Sequence, residues 1–287
     1  MFYDELVLQG ADPGANLGAA FTASIAEREL VPKGKYLHEL TIGLKADTAT
    51  AAVTLPTFLD VLNPFIFKVG QETRIQLRGR DLIALNILMY GSVPSFWSAD
   101  TISDDAKVLG LKVPIWETIQ ANTSYSWSAT RVAQTNVSGE VIELAARWSD
   151  KSLVSNPIYA VEQPFTTAGA TGRTNLNIQL PKLGNLIGML VFNTTAPTNV
   201  ADSASVQRLQ LYMNGVRGSQ FNVGTRGFVA GFNQDNQSLL MQDVYSNYMF
   251  IDLRDDPIDV KGQNVEVEVD VQATTSAVRL IPIIQKI

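Results

Sequence analysis

A segment near the start of the chain returns in modified form in its second half. VPKGKYLHELTIGL, residues 31–44, resembles LPKLGNLIGMLVFN, residues 180–193. Each copy is followed, in the same order, by a strand that runs into a glycine turn, a long alternating strand and a closing strand. The matching sequences are TRIQLRGR and QRLQLYMNGV, then TSYSWSATRV and NVEVEVDVQA, then VIELAARW and VRLIPIIQK. Ordered self-similarity of this kind predicts an internal structural repeat.

The repeat predicts which residues correspond between the two halves. It pairs Pro32 with Pro181, Arg74 with Arg208 and Tyr125 with Val265, at offsets of 149, 134 and 140 residues. Offsets this similar imply copies that differ mainly in the lengths of their loops. The alternative is one large sandwich whose strands resemble one another by composition alone.

Alternation of apolar and polar residues dominates the sequence and predicts half-buried strands. Helical periodicity is scarce. The clearest helix is predicted over residues 78–91, where Leu82, Leu85 and Met89 share a face, Asp81 suits the N-terminal end and Gly91 suits the C-terminal end. A weaker helix is predicted in NQSLLMQDVYS, residues 236–246.

The boundary between the copies falls in residues 148–172, where a polar stretch gives way to Pro157, Pro164 and a passage rich in Gly and Thr. We therefore predict two domains, residues 1–152 and 153–287. Each would hold about eight short strands, which suits a jelly roll. The predicted fold class is all-β, with two tandem eight-stranded jelly-roll barrels and short loop helices.

The composition argues against several classes of protein. With no cysteine, the chain cannot form disulfides, thiolate zinc sites or a cysteine nucleophile. A net charge of −6 argues against a chain whose main work is binding nucleic acid. The first residues are acidic where a secretory signal would be positive, so export is not expected. We therefore attribute the Asn-X-Ser/Thr motifs at Asn122, Asn136, Asn193 and Asn236 to loop composition rather than to glycosylation.

Candidate catalytic and metal-binding residues are few. The single histidine, His38, lies inside a predicted strand and is paired by the repeat with Gly188, so we interpret it as structural. One histidine without cysteine cannot fill a tetrahedral zinc site without carboxylates, and the sequence shows no carboxylates at a suitable spacing. Calcium is the more defensible metal, because Asp252, Asp255, Asp256 and Asp259 fall close together in DLRDDPID, although a solvated turn is the preferred interpretation. We predict no cofactor and no catalytic residue.

A carbohydrate site is a further possibility for a β-sandwich. SVPSFWSAD places Phe96 and Trp97 beside Pro94, and Asp104 and Asp105 follow as candidate acids. Paired carboxylates near aromatic platforms are typical of glycan-active proteins. An anchor for a long loop, or a subunit contact, is the simpler interpretation of this aromatic pair.

The segment GQETRIQLRGRDLIALNILMYG, Gly70 to Gly91, carries a resemblance to a known family. Its strand, glycine turn and helix that opens with Asp-Leu resemble the double-jelly-roll major capsid proteins of icosahedral, internal-membrane dsDNA viruses, the lineage of adenovirus hexon. The second half keeps the turn, at Asn214 and Gly215, but lacks the Asp-Leu helix directly afterwards.

The resemblance implies a structural role in a virion. Three chains would associate into a homotrimeric, pseudo-hexagonal capsomer, and capsomers would tile an icosahedral shell over an internal membrane. The implied partners are other copies, minor capsid or penton proteins and the internal membrane, without direct contact to nucleic acid. Assembly would take place in the host cytoplasm.

Two alternatives stay open on the sequence alone. One is a two-domain β-sandwich protein that binds or hydrolyses glycans. The other is a capsid protein with one full and one reduced barrel. The preferred prediction is a capsid protein without enzymatic activity.

Overall fold

The computed structural model describes residues 2–10, 20–25, 33–48, 53–91, 106–150, 154–167, 176–193, 206–222, 247–271 and 276–287. These residues form mainly β-strands, so the predicted all-β class is confirmed. The chain divides into two compact units, Met1–Ile158 (unit 1) and Tyr159–Ile287 (unit 2). Within the described ranges, no helix has both the length and the apolar character needed to span a bilayer.

Unit 1 has two antiparallel sheets. One has the strand order β1-β8-β3-β6, and the other runs β5-β4-β7-β2 within this unit. The strands are β1 (Phe2–Gly10), β2 (Ala20–Ile25), β3 (Tyr36–Thr48), β4 (Leu62–Val69), β5 (Glu72–Leu77), β6 (Ala106–Thr118), β7 (Tyr125–Arg131) and β8 (Val137–Ser149).

Unit 2 also has two sheets. In one, β15-β12-β18 are neighbours, with β16 beside β12 and with β9 and β10 beside β18; the other runs β11-β17-β13-β14. The strands are β9 (Ile158–Val161), which starts on the last residue of unit 1, β10 (Gln163–Thr167), β11 (Leu176–Gln179), β12 (Gly184–Asn193), β13 (Val206–Met213), β14 (Val216–Asn222), β15 (Tyr248–Asp252), β16 (Ile258–Asp259), β17 (Val265–Val271) and β18 (Ser276–Lys286).

The two units share one strand order. Strands β9 and β10 can be counted as one interrupted strand, and so can β15 and β16. With this count, the strand order in both units is first-eighth-third-sixth in one sheet and second-seventh-fourth-fifth in the other. The strands that follow Pro32 and Pro181 are both third strands, and Tyr125 and Val265 both begin seventh strands. These two predicted correspondences agree with the topology.

The predicted pairing of Arg74 with Arg208 is wrong. Arg74 lies on β5, a fifth strand, whereas Arg208 lies on β13, a fourth strand. TRIQL and QRLQL therefore stand on opposite sides of their hairpin turns. Strands of one protein share a composition, so a short match between two of them does not fix which strand is which.

A β-bulge recurs at the same place in both third strands. In β3 the register shifts between Leu37 and Glu39, and in β12 it shifts between Leu186 and Gly188. The inserted residues are His38 and Ile187, which are 149 residues apart, the same offset as the Pro-Lys motifs. The predicted counterpart of His38, Gly188, is thus wrong by one residue, because Gly188 corresponds to Glu39.

Backbone hydrogen bonds between loops recur as well. In each unit, the amide of the residue that follows the sixth strand bonds a carbonyl at the start of the third strand. The amide of the first residue in the fourth-to-fifth hairpin turn bonds the carbonyl of the residue that precedes the seventh strand. The pairs are Ile119 N to Lys35 O (2.9 Å) and Val260 N to Gly184 O (2.8 Å), then Gly70 N to Ser124 O and Asn214 N to Asn264 O (both 2.8 Å).

Each unit buries the apolar residues of its alternating strands. In unit 2 one hydrophobic cluster combines residues from both sheets, for example Met189 and Leu280 from one and Leu209 and Val267 from the other. The two sheets therefore pack face to face. In unit 1 the aromatic residues Tyr125, Trp127, Phe65 and Phe67 of the second sheet are fully buried.

Two helices occur in the described residues, α1 (Leu55–Leu59) and α2 (Gly79–Tyr90). The helix predicted over residues 78–91 is therefore confirmed. Asp81 accepts a hydrogen bond from Arg78 N (3.1 Å), and Gly91 ends the helix with a left-handed φ of 64°. The weaker helix predicted at residues 236–246 lies outside the described residues.

One side chain of helix α2 hydrogen-bonds to the backbone of a strand at the edge of a sheet. Asn86, 2% exposed, donates through Nδ2 to Lys112 O (2.6 Å) and accepts at Oδ1 from Lys112 N (3.0 Å). Lys112 is on β6, the edge strand of its sheet. The Asn86 amide thus takes the place of a neighbouring strand, which blocks edge-to-edge pairing at this point.

We predict that Asn86→Leu destabilises the protein by about 1–3 kcal/mol, because it leaves the amide and carbonyl of Lys112 without these partners. Chemical denaturation followed by tryptophan fluorescence measures the change. Gln120→Leu removes an exposed side-chain amide and serves as the control, with an expected change within about 0.5 kcal/mol. Equal stabilities for the two variants would contradict the edge-covering role.

Candidate functional site

His38 occupies the bulge of β3 and contacts two neighbours. Its Nε2 lies 2.9 Å from Ser149 Oγ, and its ring meets Tyr36 edge-on with centroids 4.7 Å apart. Burial lowers the pKa of His38 below its ordinary value, and the positive charge of Arg147 lowers it further, while Glu39 opposes the shift. Both effects favour the neutral form of the ring.

The His38–Ser149 distance is that of a base and a nucleophile, but Ser149 is poorly placed for chemistry. Ser149 is 3% exposed and belongs to β8, where it pairs with Tyr36 of β3 on one side and Phe2 of β1 on the other. A substrate cannot reach a hydroxyl enclosed in this way. The contact fixes the bulge instead.

A charged cluster lies beside His38. The carboxylate of Glu39, 9% exposed, is 3.4 Å from Lys112 Nζ and 3.6 Å from Arg147 Nη1. Lys112 also stands over the Tyr90 ring, 5.5 Å from its centroid. Burial, followed by the negative charge of Glu39, raises the pKa of Tyr90 above its usual range. Two cations thus neutralise one buried carboxylate and tie β3, β6 and β8 together.

The four aspartates considered for calcium do not converge. Asp252 is bound by Arg254 through Nε (2.9 Å) and Nη2 (2.6 Å), and Asp259 accepts from Lys261 N (2.8 Å). Asp255 and Asp256 are exposed. No group of three or more acidic or histidine side chains that could hold a metal ion occurs in the described part of the chain. The geometry of these carboxylates gives the calcium prediction no support.

Other candidate residues are only partly covered by the structure. Phe96, Trp97, Asp104 and Asp105, considered for glycan binding, lie outside the described residues, as do Pro94 and Asn236. Asn122 and Asn136 are exposed and have left-handed φ values of 67° and 64°, which places both in turns.

Buried ion pairs in both units were not predicted from the sequence. Arg74 lies 3.9 Å from Glu117 in unit 1, and Arg279 lies 3.4 Å from Glu162 in unit 2. The guanidinium of Arg279 also stands 3.9 Å from the centroid of Phe192. Charged residues on alternating strands are expected to face solvent, and only tertiary packing covers these.

The outer faces of the two equivalent sheets differ. In unit 2, Leu190 and Ile281 are cross-strand partners on the side opposite the hydrophobic cluster, and both are 0% exposed. In unit 1 the equivalent partners, Thr41 and Ala145, are only half-buried. The continuous apolar runs LIGMLVF in β12 and LIPII in β18 signal strands buried on both faces, whereas LTIGLKA in β3 alternates.

Comparison with known proteins gives matches at the level of structure. No protein-family model matches the sequence. No curated protein matches it either.

Several solved structures share the fold along the whole chain. The major capsid protein of Sulfolobus turreted icosahedral virus superposes with a TM-score of 0.70 at 14% identity, covering 99% of this chain and 97% of that one. The major capsid protein P2 of bacteriophage PM2 gives 0.59 at 10% identity, covering 100% and 98%. A capsid model of the virus PBCV-1 gives 0.61 at 10% identity, covering 99% and 93%. The chain therefore has the fold of the major capsid proteins of double-jelly-roll viruses.

Proposed function

We propose that this chain is the major capsid protein of an icosahedral virus and that each of its units is a jelly roll. The observation that carries the proposal is the shared strand order of the two units. First-eighth-third-sixth facing second-seventh-fourth-fifth is the order of an eight-stranded jelly roll. The structural match supports this, because it extends over both units and over nearly the full length of the capsid proteins.

The proposed assembly unit is a homotrimer. A tile in a hexagonal lattice needs six similar sides, and a chain with two similar units reaches six by cyclic threefold association. Capsomers of this kind would tile the shell of the virion, with other copies and minor capsid or penton proteins as partners. The jelly rolls are proposed to follow the domains predicted at residues 1–152 and 153–287.

The shell is proposed to enclose an internal membrane and to make no direct contact with the genome. The net charge of −6 supports the second part, because a shell packed directly against nucleic acid needs clustered Lys and Arg. Assembly is proposed to take place in the host cytoplasm.

The role is proposed to be structural rather than enzymatic. Within the described residues, the histidine and the charged side chains around Glu39 bind neighbouring side chains. Glu39 neutralises Lys112 and Arg147, and His38 contacts an enclosed serine. Arrangements of this kind fix strands in register.

We expect native mass spectrometry of gently dissociated particles to give trimers as the dominant species above the monomer. Mass photometry of the same sample provides a second measurement. A dilution series serves as the control, since an obligate trimer with an interface of more than about 2,000 Å² should persist on dilution, whereas a weak contact should dissociate. Particles that release only monomers or dimers would contradict the trimeric tile.

We expect His38→Gln to leave trimers intact at pH 8 and to reduce the loss of stability at acidic pH. The pKa of His38 is lowered in the folded state, so below about pH 6.5 the unfolded chain binds the proton more readily and unfolding is favoured. The glutamine side chain does not titrate, so the variant lacks this pH-dependent loss of stability. Thermal unfolding midpoints at pH 8 and pH 5 measure the effect.

Between pH 8 and pH 5, the midpoint temperature of thermal unfolding should fall further for the wild-type protein than for the variant. An equal loss in both would show that His38 titrates alike in the folded and unfolded states. Failure of the variant to assemble at pH 8 would assign His38 a larger role than fixing the bulge.

A further inference from the structure

The hairpin turn between β13 and β14 carries the only Asn-Gly pair in the sequence, Asn214 and Gly215. Met213 and Val216 on either side of it are cross-strand partners, so the turn itself has two residues. Both turn residues have a positive φ, 51° for Asn214 and 80° for Gly215. This is the pattern of a type I′ turn, which Asn-Gly favours.

The side chain of Asn214 is held at one atom and open at another. Its Oδ1 accepts a hydrogen bond from Asn264 N (2.9 Å), and its backbone N–H donates to Asn264 O (2.8 Å). Because the donor at Asn264 is an N–H, the atom that it meets is the carbonyl oxygen of the amide. The other side-chain atom, Nδ2, makes no hydrogen bond to the described residues, and the whole turn is exposed.

This arrangement suits the loss of the side-chain amide by attack from the next residue. The attacking atom is the backbone nitrogen of Gly215, and the atom attacked is Cγ of Asn214. Negative charge develops on Oδ1 during the attack, and the Asn264 N–H is already placed to stabilise it. Gly215 carries no Cβ that could hinder the approach, and no atom outside its chain neighbours lies within 4 Å of a Cβ position there.

We propose that Asn214 is a site of deamidation in the folded protein and that the reaction releases β14 from β13. Gly215 N gives up its proton and forms a bond to Asn214 Cγ. The bond from Cγ to Nδ2 breaks, and Nδ2 leaves as ammonia with that proton. Water then opens the succinimide ring at one of its two carbonyls, which leaves either aspartate or isoaspartate at position 214. Water is the only co-reactant.

The isoaspartate product changes the length of the turn. Its main chain runs through Cβ and Cγ, so one methylene group is added between strands that only two residues connect. A two-residue type I′ turn matches the twist of its strands only at its normal length. The pairing of Met213 with Val216 next to the turn therefore loses its register. The aspartate product keeps the length of the turn and adds one negative charge.

Little besides the turn holds the first half of β14. Among the described strands, β14 pairs with β13 alone and forms the edge of its sheet. Residues 216–220 are all exposed, and Val216 is exposed to 69%. An irregularity already shifts the register between Gln210 and Tyr212 of β13. A longer turn would thus leave the strand between the turn and this irregularity without a fixed register.

The equivalent turn of unit 1 lacks the reactive pair. Gly70 and Gln71 stand there, and Gly70 N bonds Ser124 O at 2.8 Å, as Asn214 N bonds Asn264 O. The backbone contact of the turn is therefore kept in both units, while the reactive side chain occurs in unit 2. The fold itself does not require an asparagine at this point.

The test follows the three exposed asparagines that have a left-handed φ. Asn122 (67°) and Asn136 (64°) match Asn214 in exposure and backbone conformation, but Thr and Val follow them. The wild-type chain is kept at mildly alkaline pH, its folded state is followed by tryptophan fluorescence, and its peptides are mapped by mass spectrometry. Asn214 should lose its amide at least about tenfold faster than either control, because a side chain on the next residue hinders the attack.

Release of β14 is measured by hydrogen exchange. In aged protein that contains isoaspartate, the amides of β14 should exchange at least about tenfold faster than in fresh protein, because local opening of the strand costs less free energy. The variant Asn214→Asp carries the new charge without the extra methylene group. It should exchange like fresh wild-type protein.

Three outcomes would contradict the inference. Equal rates at the three asparagines, or a reaction at Asn214 that occurs only in urea-unfolded protein, would overturn the site. Amides of β14 that exchange alike in fresh and aged protein would overturn the release of the strand. The proposed capsid function stands or fails separately, since none of these measurements depends on assembly.

Discussion

The register of the third strand is the constraint on which the rest of each unit depends. This strand lies inside its sheet, between the sixth and eighth strands, so its side chains decide which residues of both neighbours enter the core. The bulge is necessary because Leu37 and Leu40 are three residues apart and would face opposite sides of a regular strand. The extra residue, His38, restores them to one face, where both are fully buried.

Unit 2 solves the same problem with the same device. Leu186 and Met189 are also three residues apart, and Ile187 is the inserted residue that lets both enter one hydrophobic cluster. An apolar pair with this odd spacing is a sequence signal for a bulge, and in the third strands it recurs at the same offset of 149 residues. Two units that share a strand order, a bulge and loop hydrogen bonds are more similar than their sequences suggest.

The bulge residue itself is free to differ because it faces away from the common core. His38 binds Ser149 at 2.9 Å in unit 1, whereas Ile187 is buried at the same point in unit 2. Glu39 likewise corresponds to Gly188, which has no side chain to supply the central carboxylate of such a cluster. The two units share what sets the register of the third strand and differ on their outer faces.

The sequence by itself determined the all-β class, the repeat and helix α2, because each depends on local periodicity and on residues such as Asp81 and Gly91 that act within one turn. It misassigned Arg74 and the counterpart of His38, because strand identity and register depend on pairing between segments distant in the chain. Only the tertiary structure decided which charges are buried, as with Glu39 and Arg279, and which of the two outer faces is more deeply buried. Whether a residue is buried depends on what packs against it. Alternation of apolar and polar residues along one strand indicates only that the two faces of the strand differ.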